Sequence, residues 1–506
     1  MPGGMPPERP NVLVILSDQH SARALGCYGN PQVATPHLDL LAAGGTRFDA
    51  AYTACPVCVP GRYALYTGRY VHSLRTVSYP HPDRPAEAPS GPVALSLRER
   101  TLAHHFREAG YVTAFVGKLH PVAPHTYGFD YYVDFGHYAD FLGPRYETFA
   151  RGMLAVDSGC GVPWIDTLHG QRGGPWSGAA LTPGAPAVFA DEADHQEGFV
   201  AREAVRFLRA ARREPDGTPF CLVVSFLKPH APWAPAPSYA ARYDPGALAL
   251  PPEPALPAAA DPALPAAVRQ IGRRFWQPHE TWPLPPPGDP ARPAARRRWL
   301  AAYYACVTQM DAAAGVVLAE LEALALARNT LVIYTSDHGE MAGEHGLFQK
   351  FVLFDGSARV PLIVRCPWLP GAPGGAPGAV ARAAVDLGDL VPTCLDLCGV
   401  PAPDPRGPEA LGGTSLAPLL REPGRREAPG KGFAFSEIAY GAGPAYLARA
   451  GRWKVVHYTG TGERVLYDME ADPYEDQNLA GAPGPAAEAE ALRRRLLDWL
   501  PAGAPR

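Results

Sequence analysis

The chain has 506 residues, 47% of them apolar and 19% charged, with a formal net charge of -4. That is ample material for a large packed core, and it carries no excess of one sign of charge along its length to bind nucleic acid or an anionic membrane. No run approaches the roughly eighteen apolar residues of a membrane span, and the opening MPGGMPPERP lacks the basic and apolar regions of a secretory signal. Nine cysteines, odd and sparse for this size, fit reduced thiols, so a cytoplasmic setting is expected.

In chain order, NVLVILSD is a continuous apolar run suited to a strand buried on both faces, and Pro36 opens a helix that stops near Gly44 and Gly45. SLRERTLAHHFREAG reads as helix, YVTAFVGK as strand, EGFVAREAVRFLRAARR as amphipathic helix and PFCLVVSFLK as strand. The segment from Pro245 to Pro293 is proline-rich and weakly periodic, which predicts a long loop over a cleft. Arg273-Arg274 and Arg296 to Arg298 read as solvated helix ends or rim charges. A long helix follows, with Tyr303 and Tyr304 in its core face, then the strand NTLVIYTSDHG and a further strand in VPLIVRCP. The alternation predicts an α/β fold, a mostly parallel sheet sandwiched by helices. From about residue 430, four short strands and the helix AAEAEALRRRLLDWL predict a small antiparallel-sheet-plus-helix subdomain. The expected division is 1–430 for the main domain, with its proline-rich loop 245–293, and 431–506 for the C-terminal subdomain.

Ligands of such sheets bind beyond the carboxyl ends of the strands. Strands here end in Ser17-Asp18-Gln19-His20, Gly117-Lys118-Leu119-His120, Lys228-Pro229-His230 and Ser336-Asp337-His338, and these ends are expected to converge. Lys118 and His120, two apart, point to the same face. Five lysines against 41 arginines suggest that a lysine is kept where a compact ammonium does what a guanidinium cannot. Cys55 and Cys58 form a C-x-x-C that taken alone reads as redox or half a zinc site. No second C-x-x-C exists to complete one, and Cys394 and Cys398 lie in an apolar helical stretch.

Cys58-x-Pro60-x-Arg62, continued by Thr67-Gly68-Arg69, resembles the signature of the formylglycine-dependent sulfatases of the alkaline-phosphatase-like superfamily. NVLVILSDQH, TPHLDLLAAGGTRFDAAY, AGYVTAFVGKLH, SFLKPHAPW, TSDHGEMAGEHGLFQK, RVPLIV and LYDMEADPYEDQNLA look like blocks of the same family in the same order. The resemblance implies hydrolysis of a small organic sulfate monoester, with Cys58 oxidised to formylglycine by a separate maturase. Asp18, Gln19, Cys58, Asp337 and His338 would hold a divalent ion. Hard oxygen ligands suit calcium, while Gln19 and His338, standing where many relatives carry aspartate and asparagine, leave manganese open.

Carried over in the same way, Lys118 and His120 would bind nucleophile and sulfate, with His120 taking a proton. His230 would contact the ester oxygen and protonate the leaving alcohol, and Lys350 would bridge sulfate and leaving group. Arg62 would anchor the aldehyde hydrate, and His72 lies where relatives often place a residue near the nucleophile. A hydrated aldehyde offers two hydroxyls, one to attack sulfur and one to expel sulfate; cysteine or serine lacks the second. A phosphonate monoester or phosphodiester hydrolase of the same superfamily is the alternative. Lys118 with His120 favours sulfate, and Gln19 with His338 leans the other way. A catalytically silent relative would need to have lost Cys58, Arg62, Asp18 or Asp337, and all are present.

Overall fold

Val12 to Leu16 alternates its side chains between two cores, Val12, Val14 and Leu16 on one side and Leu13 and Ile15 on the other, as a strand covered on both faces must. This strand is the centre of the protein. The structure, a computed structural model, describes residues 9–74, 95–119 apart from 97, 126–133, 195–213, 217–253, 258–276, 282–369, 378–439 apart from 426 and 428, and 443–500 apart from 483 and 485.

The strands in chain order are β1 (Asn11–Asp18), β2 (Thr46–Phe48), β3 (Ala51–Tyr52), β4 (Val112–Gly117), β5 (Tyr131–Val133), β6 (Phe220–Pro229), β7 (Thr330–Ser336), β8 (Arg359–Val360), β9 (Leu362–Arg365), β10 (Ala379–Ala381) and β11 (Val385–Asp386). Eight form one sheet in the order β10-β2-β9-β7-β1-β6-β4-β5, and β11, β3 and β8 form a smaller one. β1 is parallel to both β6 and β7, and β4 to β5 and β6. β9, the strand of VPLIVRCP, runs antiparallel to β7 and β2. The mostly parallel α/β sheet read from the sequence is therefore present, with one reversed strand.

Helices Pro36–Ala43, Gln196–Arg212 and Arg292–Ala323 supply Leu38, Leu41, Phe199, Val200, Met310 and Val317 to one face. Helices Cys58–Thr67, Leu102–Glu108 and Leu390–Cys398 cover the other with Tyr63, Tyr66, Phe106 and Leu395. Among the described residues no helix is long and apolar enough to cross a membrane. Because β4, β6, β1 and β7 are consecutive in the sheet, the polar residues at their carboxyl ends are brought side by side.

The described part of the proline-rich segment packs beside this edge. It contains a short helix, Ala266–Gly272, and Phe275 stacks on Phe351 with ring centres 4.8 Å apart while its carbonyl accepts from Phe348 N at 2.8 Å. Arg296 departs from the solvated reading: it is 3% exposed and pairs with Glu253 at 2.8 Å, beside Arg292, which reaches the same carboxylate at 2.5 Å. Arg273 and Arg274 are exposed as expected.

β12 (Ala434–Ala439), β13 (Pro444–Ala450), β14 (Trp453–Tyr458) and β15 (Arg464–Asp468) form an antiparallel meander backed by the helix Ala486–Trp499. Phe435, Leu447 and Val455 share a core with Tyr52, Val57 and Leu353. A buried charge cluster crosses the same seam. Lys454 pairs with Asp355 at 2.7 Å and Glu475 at 2.6 Å, and Arg23 pairs with Glu344 at 3.0 Å.

Burial pushes the Glu344 and Glu475 carboxyls up to about 7, against the opposing pull of Arg23 and Lys454 respectively. The folded chain thus holds protons that the unfolded chain releases. Their stabilisation is full below the ordinary glutamate value of 4.5 and is lost as pH rises to about 7. Between about pH 5 and about pH 7.5, Glu344→Gln/Glu475→Gln is expected to lose about 1–3 kcal/mol less stability than the parent chain in urea denaturation. Parallel pH profiles for the two chains would refute this.

Candidate active site

Cys58 opens the buried helix Cys58–Thr67 directly after an extended Val57 with φ -146°. The residue before Arg62 must be small, because a Cβ on Gly61 would stand 2.6 Å from the Cys55 carbonyl oxygen and 3.2 Å from that of Asp337. One turn on, Arg62 is fully buried and spreads its fork. Its Nε donates to Asp337 Oδ2 at 2.7 Å and one terminal nitrogen to Asp18 Oδ2 at 3.1 Å. The other donates to the Lys118 carbonyl at 2.5 Å and Ser225 Oγ at 2.9 Å. Arg62 therefore braces two carboxylates from neighbouring strands.

Lys118 follows Gly117, whose φ of 108° and close approach to the Ser225 carbonyl admit only glycine. Lys118 Nζ donates to Asp18 Oδ2 at 2.5 Å. Around the Cys58 sulfur stand Lys350 Nζ at 2.8 Å, His338 Nε2 at 3.1 Å and Asp18 Oδ1 at 3.8 Å. His338 Nδ1 donates to the Gly339 carbonyl at 3.0 Å, so in the neutral ring Nε2, the atom facing the sulfur, carries the lone pair. Lys350 Nζ also lies 3.1 Å from Gln19 Oε1.

Burial pushes the Asp18 carboxyl up, but Lys118, His230, Arg62 and Lys350 outweigh it and hold the group well below the usual carboxylate range. Burial and Asp18 likewise push the Cys58 thiol up, and Lys350, His338 and Lys118 bring it below its ordinary value. Lys350 is driven down by burial and raised overall by Cys58 and Asp18. The result is a thiol in a strongly cationic, carboxylate-lined recess.

Asp18, Cys58, Asp337 and His338 each offer one ligand atom, all within 4.8 Å of one another and all buried. Two carboxylates, an imidazole nitrogen and the side-chain amide oxygen of Gln19, next to Lys350, make a donor set that fits a divalent cation. The expected strand ends therefore meet. His230 is half-buried, its Nδ1 donates to the Ala231 carbonyl at 2.8 Å, and its charge reaches Asp18. His120 lies outside the described residues.

Two expectations are redirected, and a third residue gains a contact. His72 bonds Glu437 at 3.0 Å and stacks on Tyr70, so it belongs to the seam with the C-terminal sheet. Lys228 directs its ammonium to the Pro232 carbonyl. Tyr303 lies in the helix core as read, but its hydroxyl also donates to the Gln19 carbonyl at 3.0 Å. Residues the sequence did not single out are Ser225, Glu340 and Glu197. Glu197 accepts from Lys228 N at 3.0 Å and from His195 Nδ1 at 2.5 Å, shaping the loop that carries His230.

The geometry agrees with what the chain is similar to. The sulfatase family model matches residues 10–400, and the model for the C-terminal part of N-sulphoglucosamine sulphohydrolase matches 343–500. An arylsulfatase of Clostridium perfringens is 28% identical over 97% of this chain and 94% of its own length. A choline-sulfatase of Rhizobium meliloti is 30% identical over 95% of this chain and 84% of its own. Among solved structures, the phosphonate monoester hydrolase of Agrobacterium radiobacter superposes with a TM-score of 0.74 at 24% identity, covering 97% of this chain and 95% of that one, and so shares the fold. With the family match spanning most of the sheet and every strand end that surrounds Cys58, the chain belongs to the sulfatase family and is a sulfuric ester hydrolase.

Proposed function

We propose that the protein hydrolyses a small organic sulfate monoester at Cys58, converted to formylglycine by a maturase, with Asp18, Gln19, Asp337 and His338 holding Ca2+, or Mn2+ as the alternative. The hydrated aldehyde supplies one hydroxyl to attack sulfur and a second through which sulfate departs. The divalent ion, when bound, neutralises charge on the nucleophile and the sulfate oxygens.

The chain's own residues fill the remaining roles. Arg62 holds Asp18 and Asp337 in fixed relation. Lys118 and Lys350 place two ammonium groups where the sulfate charge sits, Lys350 also facing the leaving oxygen. His230 holds the proton for the departing alcohol, and His120 takes one from the spare hydroxyl. The observation that carries this reading is the sulfur of Cys58 with Lys350 Nζ and His338 Nε2 within 3.1 Å, beside the paired carboxylates.

We assign residues 1–430 to catalysis and 431–506 to the C-terminal subdomain, and place the protein in the cytoplasm, which the free thiols of all the described cysteines support. Neutral Gln19 beside His338 is the feature that favours the second reading, phosphonate monoester hydrolysis. Rates on an aryl sulfate and on an aryl phenylphosphonate separate the two. The sulfate is expected to have the higher kcat/KM, and a dominant phosphonate rate would overturn the first reading.

A further inference from the structure

Behind the ligand set sits a glutamate to which the reaction assigns no role. Glu340 is 0% exposed, and both its oxygens are engaged. Oε1 accepts from the backbone of Ala342 at 2.9 Å and of Gln349 at 2.7 Å, and Oε2 accepts from Gln19 Nε2 at 2.5 Å. Met341 N donates to the Gln349 carbonyl at 2.9 Å and closes the same loop. The carboxylate is thus seated by the very segment that presents Lys350.

A primary amide has unlike ends, a carbonyl that accepts and an amino group that donates. Glu340 Oε1 is taken by two backbone donors and Oε2 accepts from Gln19 Nε2, so Glu340 obliges Gln19 to turn Nε2 toward it and Oε1 away. Oε1 then lies 3.1 Å from Lys350 Nζ, on the side of the Cys58 sulfur. The backbone of Gln19 has no freedom to compensate. It sits at φ 64°, its N–H donates to Asp337 Oδ1 at 3.1 Å, and its carbonyl accepts from Tyr303. What remains open at position 19 is which end of the amide faces inward.

We infer that Glu340 is a positioning residue that settles this choice, so that a neutral carbonyl oxygen and not an N–H is presented to the cation. The inference rests on the reading of Asp18, Gln19, Asp337 and His338 as cation ligands. It separates Glu340 from a residue that merely stabilises the loop, because only a positioning role depends on what stands at position 19.

The test is a charge swap between isosteric side chains, read by calorimetric titration of chelator-stripped full-length protein with Ca2+ alone, alongside melting temperatures. In Glu340→Gln the new amide keeps its carbonyl on the two backbone donors and turns its amino group toward Gln19, whose amide must flip. In Gln19→Glu two carboxylates meet at the 2.5 Å contact. Each single change is expected to weaken Ca2+ binding about 10–100-fold. In Gln19→Glu/Glu340→Gln a donor again faces an acceptor, and affinity is expected to return to within about tenfold of the parent.

Unchanged affinity in Glu340→Gln overturns the inference, as does tighter binding in Gln19→Glu. So does a double variant that fails to fold or binds no better than Gln19→Glu. A purely structural glutamate would lower the melting temperature of Glu340→Gln and of the double variant alike, with no selective recovery of affinity. Parent protein that takes up neither Ca2+ nor Mn2+ would instead remove the metal reading beneath it.

Discussion

Arg62→Lys is expected to lower kcat/KM on an aryl sulfate by about 10²–10³-fold and to remove about 3–5 kcal/mol of stability. The reason is geometric before it is electrostatic. The guanidinium contacts Asp337, Asp18, the Lys118 carbonyl and Ser225 at once, through three nitrogens held in one plane. A lysine ammonium offers three donors on a single atom and cannot span both carboxylates. At least one buried carboxylate would be left without its charged donor, in surroundings where burial drives a carboxyl toward the neutral form. A protonated Asp18 is a poorer cation ligand, so the loss of its charge and the loss of activity should move together.

The two effects can be separated by adding Ca2+. A dication binding the folded state supplies the missing positive charge and stabilises by mass action, so saturating Ca2+ should narrow the stability gap between parent and variant. Activity should recover less, because the carboxylates would still lack a common brace. Near-parental kcat/KM in Arg62→Lys would show that the fork is dispensable and that the carboxylates are positioned by their strands alone.

The same residues show what sequence reasoning can reach. Strands β1, β4, β6 and β7 are largely apolar runs that lead into polar residues, and a parallel sheet has its ligands at that end, so Asp18, Lys118 and Asp337 could be named before their contacts were known. The scarcity of lysine was informative in an unforeseen way. Lys118, Lys228, Lys350 and Lys454 are at most 5% exposed, and the Lys431 side chain is 6% exposed, yet Lys228 bonds a carbonyl while Lys431 and Lys454 pair with carboxylates of the C-terminal seam. A rare lysine here marks a buried ammonium, and only Lys118 and Lys350 among the five lie against Asp18 or Cys58.

Glu340 and Glu197 were not legible for the opposite reason. Glu340 lies in a loop and Glu197 in the first turn of the helix Gln196–Arg212, where periodicity does not mark a carboxylate, and their partners, Gln19 for one and His195 with Lys228 for the other, are defined only once the chain has folded. Arg296 misled because a run of arginines on a helix normally faces water, whereas here Glu253 comes from 43 residues away to meet it. The direction of β9 was equally hidden, since a short apolar run fits a buried strand in either sense.

Cys58→Ala, produced alongside a maturase, is expected to fold normally and to lose turnover by about 10⁴-fold or more. Folding should survive because Lys350, the nearest partner of the sulfur, retains Gln19 Oε1 at 3.1 Å, and the helix that Cys58 opens does not rely on its side chain as a cap. Cys58→Ser is the more searching variant. A serine hydroxyl beside Lys350 and His338 can attack sulfur and release one alcohol, but with no second hydroxyl on the same carbon it cannot expel sulfate. It should give a burst no larger than the enzyme concentration and then stall. In the parent chain, the peptide carrying Cys58 should have lost the elements of hydrogen sulfide and gained an oxygen atom, and the fraction so changed should scale linearly with activity. Full turnover in the alanine variant, or steady multiple turnover in the serine variant, would place the chemistry on another residue and leave the cationic recess around Cys58 without its proposed purpose.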